Sequence, residues 1–222
     1  AVIQARLGSS RFPDKVLARI GETQVIEHVY SRVREAKLVD DVVFAIPSAQ
    51  SDTQLHRQLV SASIPFIEGP ESDVLKRYFI AAEETGADFV VRVTADCPFI
   101  DSSVIDSVIS TLLDSDADYV RTSSDWPDGL DVEAFTFRSL QIAHQQATSR
   151  GEREHVTGFL RDSGKFTCLE VSPPEDLPDV RITLDYPEDL QVLVDVWEKL
   201  ETGQPFLKEL SRIGRQHPEI FA

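Results

Sequence analysis

The first 46 residues, AVIQARLGSSRFPDKVLARIGETQVIEHVYSRVREAKLVDDVVFAI, decide the fold. Ala1–Gln4 is a short apolar run suited to a buried strand. A polar, basic stretch follows it. Over 24–36, Val25, Ile26, Val29, Val33 and Ala36 fall at helical spacing and make one apolar stripe. Val42–Ile46 is then a second strand, rich in Val, Phe and Ile. The same rhythm continues outward. Strands are predicted at Pro65–Ile67, Phe89–Val93 and Tyr119–Arg121, and helices over 52–62, 72–85 and 102–113. Asp101 and Ser102 are the candidate caps of the last helix. Strand–helix alternation of this kind predicts a three-layer α/β/α fold with a mostly parallel central sheet.

After residue 122 the rhythm loosens. A short strand is predicted at Phe135–Phe137 and helices over 138–147 and 153–161. Strands Phe166–Val171 and Val180–Leu184 flank a Pro-rich loop, Pro173 to Pro178, and helices 187–201 and 205–214 finish the chain. No internal repeat or low-complexity linker interrupts it. Residues 1–222 read as a single domain, in which about 123–180 adds to the first sheet and supplies a lid or dimerisation arm.

The 222 residues are 41% hydrophobic and 27% charged, near globular averages, which argues against disorder. The net charge is −16. So acidic a surface repels phosphate backbones and argues against a nucleic-acid partner. No apolar run is long enough to span a membrane. Two cysteines, Cys97 and Cys168, fit a reducing cytoplasm, and no CxxC or zinc spacing exists. The opening residues have no signal-peptide pattern, and with Ala rather than Met at position 1, a few residues are expected to precede them. Residues 1–37 hold seven Lys/Arg against four Asp/Glu, whereas the rest hold 15 against 34. A local anion site near the N-terminus is one reading of that contrast. For Arg32, Arg34 and Lys37, simple decoration of a helix face is the other.

The loop Ala5-Arg6-Leu7-Gly8-Ser9-Ser10-Arg11-Phe12-Pro13-Asp14-Lys15 has the better case. Gly8, Ser9 and Ser10 let backbone N–H groups approach phosphate oxygens. Arg6 and Lys15 are placed to neutralise charge, and Arg11 to fork onto two oxygens. It is neither a Walker loop nor a GxGxxG turn. On composition alone, a surface βα loop with incidental charges fits equally well.

Here the sequence resembles a known family. QARLGSSRFPDKVL at 4–17 is similar to the signature loop of cytidylyltransferases that make CMP-sugars, such as the CMP-sialate and CMP-Kdo synthetases. It looks closest to their spore-coat polysaccharide biosynthesis, SpsF-like branch. The similarity continues through VIEHVYSRVREAKLVDDVVFAIP at 25–47, GPESDVLKRYFIAA at 69–82 and VVRVTADCPFID at 90–101. GLDVEAF at 129–135, REHVTGF at 153–159 and RITLDYPEDL at 181–190 complete it in order and spacing. The resemblance implies a GT-A-like, Rossmann-related fold binding CTP, with Leu7 joining Arg6, Gly8, Ser9, Ser10, Arg11 and Lys15 at the nucleotide. It also implies a homodimer.

Asp96 lies just past the strand 89–93, where open α/β sheets bind ligands. Asp185 follows the predicted strand 180–184. A triphosphate normally comes with Mg²⁺, which takes one or two carboxylates, phosphate oxygens and water. Asp185 also reads as the cap of the helix that Pro187 opens, and from the residues alone that reading leads. The family's corresponding aspartates are metal ligands, so the resemblance assigns Asp96 and Asp185 to the metal. Glu188 and Asp189 read as first-turn charges.

By similarity, 69–77 borders the base and ribose, with Arg77 and Asp73 as contacts, although a capped helix start also fits. Arg92 sits inside an apolar strand and needs a carboxylate or the nucleotide as partner. Thr94 follows on the same face. In Asp128-Gly129-Leu130-Asp131-Val132-Glu133, period two aims Asp131 and Glu133 to one face, either a sugar site or an exposed sheet face. The branch often has Arg where this chain has Asp128, which weakens the case for a sugar carboxylate. Glu154 and His155 read as substrate contacts, and His155 less readily as a base. His28, His56, His144 and His217 have no supporting motif, and neither cysteine looks catalytic.

The expected reaction is CMP transfer from CTP to a sugar or sugar acid, with pyrophosphate released. Arg6, Lys15 and Asp96 are its expected catalytic groups, and no base for the acceptor hydroxyl is singled out. Rival readings are a sugar-1-phosphate nucleotidyltransferase using another NTP and a non-catalytic nucleotide- or sugar-binding partner of polysaccharide assembly. A GT-A glycosyltransferase fits the basic loop less well.

Overall fold

The computed structural model describes residues 1–221. A parallel unit opens the chain: β1 (Val2–Gln4), α1 (Val25–Arg34) and β4 (Val43–Pro47). Between β1 and α1, β2 (Arg19–Ile20) and β3 (Thr23–Gln24) form a small hairpin that apolar patterning did not signal. Then come α2 (Thr53–Ser61), β5 (Phe66–Gly69), α3 (Val74–Thr85), β6 (Phe89–Thr94), α4 (Ser102–Leu113) and β7 (Tyr119–Thr122). The caps are local: Asp52, Asp73 and Asp101 accept N–H bonds at the starts of α2, α3 and α4. β8 (Glu133–Thr136), α5 (Phe137–Gln146), α6 (Arg150–His155), α7 (Gly158–Asp162), β9 (Cys168–Val171), α8 (Pro187–Lys199) and α9 (Phe206–Gln216) follow.

The main sheet has seven strands in the order β5-β4-β1-β6-β8-β7-β9. Only β8 runs against the others. The second half of the chain therefore adds β7, β8 and β9 to the sheet begun by the first. Strand alternation separates the two cores. Val2 packs with Leu75, Tyr78 and Leu140 on one face, and Ile3 with Val29, Ile105 and Leu193 on the other. Helices cover both faces, giving three layers. Among the described residues no helix is long and apolar enough to cross a membrane.

Three predicted elements differ. Val180–Leu184 is not a strand. It is an extended segment with one bridge, Asp128 to Arg181, and two further ties: Ile182 N–H to the Asp128 carbonyl and Leu184 N–H to the Asp96 carbonyl, both 2.8 Å. The predicted helix 153–161 is two helices broken at Val156, and Phe137 opens α5 rather than closing a strand. The extended segment also explains Gly129. Its φ is +105°, and a Cβ there would lie 2.7 Å from the Ile182 carbonyl oxygen. Gly129→Ala is expected to lower stability by about 1–3 kcal/mol, from backbone strain and the clash, measured as a fall in urea midpoint at unchanged slope.

Candidate active site

The loop after β1 is held from below. Leu7 N–H donates to the buried Asp52 carboxylate at 2.8 Å, and the other Asp52 oxygen caps α2. Asp14, at φ 58°, turns the chain into a single 3₁₀ turn at Lys15–Leu17. That turn drives Lys15 inward, leaving 11% of its side chain exposed. Its Nζ donates to Asp96 Oδ2 at 2.7 Å and Asp185 Oδ1 at 2.9 Å. Burial opposes the ammonium, but the two carboxylates outweigh it and hold the lysine above its ordinary pKa.

Asp185 collects more cations. Arg11 Nη2 reaches Oδ1 at 3.0 Å, and Arg181 Nη2 reaches Oδ2 at 2.8 Å. Burial raises this carboxyl's pKa, yet Lys15, Arg181 and Arg11 together bring it below the usual range. The capping alternative for Asp185 does not hold. Asp189 takes the N–H groups of Asp185 and Tyr186, at 2.7 and 2.8 Å, and leaves the Asp185 carboxylate to the cations. Asp96 and Asp185 therefore present oxygens to one cationic centre, as a divalent cation requires. Among the described residues no group of three or more His, Cys, Asp or Glu forms a complete metal cage. Mg²⁺, which keeps waters and phosphate oxygens, fits a two-carboxylate site of this kind.

These groups line a cleft of about 280 Å³ at the C-terminal ends of β1 and β6. Arg6, Gly8, Ser9, Ser10, Arg11 and Lys15 form one wall, and Thr94, Asp96 and Asp185 face them. Glu154 and His155 close one side, with Glu154 3.5 Å from Arg6. A Cβ added at Gly8 would meet nothing within 4 Å, so the glycine keeps space open. The arrangement is a short basic cradle beside paired carboxylates, suited to linked phosphates.

A cytidylyltransferase family model matches residues 1–202. The chain belongs to the cytidylyltransferase family. The spore coat polysaccharide biosynthesis protein SpsF of Bacillus subtilis is 28% identical over 206 residues, covering 89% of this chain and 85% of that protein. A cytidylyltransferase structure from Leptospira borgpetersenii superposes with a TM-score of 0.90 at 25% identity, covering 99% of this chain and 94% of the other. In fold, the chain also matches a CMP:2-keto-3-deoxy-manno-octonic acid synthetase solved with CTP. That TM-score is 0.69 at 18% identity, over 89% of this chain and 97% of the synthetase.

A second cleft, of about 620 Å³, adjoins the first in this cytidylyltransferase. Arg92 lies here rather than in the first cleft. Its partner is Glu133, its register neighbour on β8, which also accepts hydrogen bonds from Tyr119 and Thr157. Burial raises the Glu133 pKa, but Arg92 and the two hydroxyls outweigh it and hold it low. Asp131 shares the cleft, as period two predicts. The surrounding protein, with Asp128 and Glu133, pushes its carboxyl up against the pull of Gly129 N–H.

Several expectations need correction. Asp73 does not line the first cleft; its oxygens cap α3 and hold Arg153 at 3.0 and 2.5 Å. Arg77 lines the cleft, but its Nη1 donates to the carbonyls of Pro70 and Glu71 at 3.0 Å, and its buried Nε has no protein partner. Leu7 packs toward the core and contributes only backbone. Arg32 and Arg34 lie over aromatic rings outside the cleft, so the basic zone is two separate features. Sequence reading missed Asp52, Arg153, Arg181 and Thr157. Asp52 showed only a cap signal, and the others showed none. Their partners are set by the fold: Asp52 meets Leu7 45 residues away, Arg153 meets Asp73 80 away, Thr157 meets Glu133 24 away, and Arg181 pairs with both Asp185, four residues on, and Asp128, 53 residues back.

Two outcomes follow from this geometry. The Glu133 pKa is lower folded than unfolded, so its stabilisation is present above the ordinary glutamate range and is lost as pH falls through the folded value. Thermal melts from pH 7 down to about 3.5 should show a steeper acid loss in the wild type than in Glu133→Gln. The variant should already be weaker at pH 7 by about 3–5 kcal/mol, because it leaves Arg92 buried without its charge partner. Gly8→Val, by contrast, should leave the melting temperature unchanged and weaken nucleotide binding about tenfold or more, read by calorimetry.

Proposed function

We propose that this cytidylyltransferase transfers CMP from CTP to a hydroxyl of a sugar or sugar acid and releases pyrophosphate. The observation that carries the reading is the meeting of Lys15, Asp96 and Asp185 beneath the Gly8–Ser10 loop, with a second cleft alongside. The first cleft takes the triphosphate and the second the acceptor. Backbone N–H groups of the loop and the cations of Arg6, Arg11 and Lys15 meet the phosphate oxygens. The acceptor hydroxyl attacks the α-phosphorus in line, and positioning supplies most of the rate. Asp96 and Asp185 would hold Mg²⁺, which when bound stabilises charge on the reacting phosphoryl group. A manganese complex among the solved structures sharing this fold supports a divalent ion in general. In the second cleft Asp131 is the open carboxylate for sugar hydroxyls, since Glu133 is committed to Arg92, Tyr119 and Thr157. The likeness to SpsF, a spore coat polysaccharide biosynthesis protein, supports surface polysaccharide as the destination of the product.

A pyrophosphate-release panel with four NTPs and Mg²⁺, against nonulosonic acids, Kdo-type acids and phosphosugars, tests the reading. CTP should dominate over the other NTPs, with a sugar or sugar acid as acceptor; equal rates with another NTP and a sugar 1-phosphate would replace this reading. Asp96→Asn and Asp185→Asn should each lower kcat about 10²-fold or more. Both should also reduce the Mg²⁺-dependent part of CTP affinity in calorimetry, and unchanged turnover in either variant would remove that carboxylate from the metal site.

A further inference from the structure

The two clefts share two residues, Thr94 and His155. Of these only the imidazole exchanges protons near neutral pH. His155 is the last residue of α6, and Val156 after it is fully buried with φ 62° and ψ −63°. Thr157 N–H donates to the His155 carbonyl at 2.6 Å. Residues 155–157 therefore form a γ-turn of the strained, positive-φ kind, unfavourable for a β-branched side chain. The turn is held from both sides: Val156 is packed in the core, and Thr157 Oγ1 donates to Glu133 at 2.7 Å. The backbone that carries His155 is thus fixed at the seam between the clefts. Among the described residues no side chain hydrogen-bonds its ring, and the ring is exposed to the clefts.

The neighbouring charges are otherwise engaged. On the nucleotide side Lys15 holds Asp96 and Asp185, Arg11 adds to Asp185, and Glu154 faces Arg6 and Arg150. On the acceptor side Glu133 holds Arg92, Arg161 pairs with Asp162, and Arg121 with Glu170. Glu152 closes a capping box with Ser149. Asp131 keeps one oxygen open but borders the acceptor cleft alone. The reacting oxygen belongs to an acceptor in one cleft and attacks a phosphorus in the other, so its proton is released at the seam.

We propose that His155 is the catalytic base, an inference that rests on the CMP-transfer reading above. The acceptor O–H bond breaks as the new O–P bond forms at the α-phosphorus. The proton passes to the neutral imidazole. The bond from the α-phosphorus to the bridging oxygen breaks, and pyrophosphate leaves with that electron pair. The imidazolium then returns its proton to solvent.

The test uses CTP, Mg²⁺ and the acceptor giving the highest rate in the pyrophosphate panel, with His155→Asn, His155→Gln and, as the rival, Asp131→Asn. His155→Asn should lower kcat about 10²-fold, with CTP affinity and melting temperature unchanged. The wild-type kcat should show an acid limb, and both histidine variants should lose that limb. A His155→Asn kcat within threefold of wild type overturns the proposal and leaves CMP transfer standing. So does transfer of the acid limb's loss to Asp131→Asn. Absence of CTP turnover in the wild type overturns both readings together.

Discussion

One ammonium joins three distant parts of the chain. Lys15 bonds carboxylates 81 and 170 residues away, and those contacts fix the β1 loop, the end of β6 and the segment before α8 around one point. Withdrawing three charges from water costs several kcal/mol before their attraction repays it, so the triad is a poor device for stability. What it does is set positions. Each member is held by something else: Lys15 by the turn after Asp14, Asp96 by the strand end whose carbonyl takes Leu184 N–H, and Asp185 by the diversion of helix capping to Asp189. The result is a basic loop and two carboxylates at the edge where parallel strands deliver ligands.

The reversed strand β8 builds the neighbouring cleft. Because β8 runs antiparallel to β6, Glu133 falls opposite Arg92 in register, and a buried guanidinium meets its carboxylate without any ligand. Tyr119 from β7 and Thr157 from the α6–α7 junction complete the network. A half-satisfied network would leave a mobile, costly charge on the cleft floor. This one is satisfied, and it makes the floor rigid. Under the proposed function, recognition falls to Asp131, Thr94 and His155, which line the clefts.

Much of this was legible in the sequence because local and global signals agree. Apolar stripes in 24–36 and 102–113 and the β-branched run 89–93 became α1, α4 and β6. The basic loop and Asp96 lie together because they sit at the ends of adjacent parallel strands, which the strand–helix alternation implies. The misses share a cause. Val180–Leu184 has strand composition, but its neighbours are the backbone at Asp128 and Asp96 rather than a strand edge, and composition does not report partners. Asp73 has the right chemistry for a nucleotide, yet Arg153 claims it first, whereas Arg77 lines the cleft while its Nη1 is spent on the turn carbonyls at 70 and 71. Only the fold brings those competitors near.

Where the chain breaks local rules, the exceptions are informative. Among the described residues three non-glycines have positive φ: Asp14, Ser63 and Val156. Ser63 ends α2 in an ordinary helix stop, with Ile64 N–H on the Leu59 carbonyl, and a short polar residue tolerates that geometry. The other two flank the clefts. Asp14 immediately precedes the lysine that bridges the two aspartates, and Val156 separates His155 from Thr157. A valine in that conformation is disfavoured by its own sterics and is kept there by burial and by the Glu133 bond. Relaxing it would let α6 and α7 run on as the single helix that residue periodicity alone predicts. His155 and Thr157 would then lie about 200° apart around one axis, and the seam between the clefts would lose either its imidazole or its anchor.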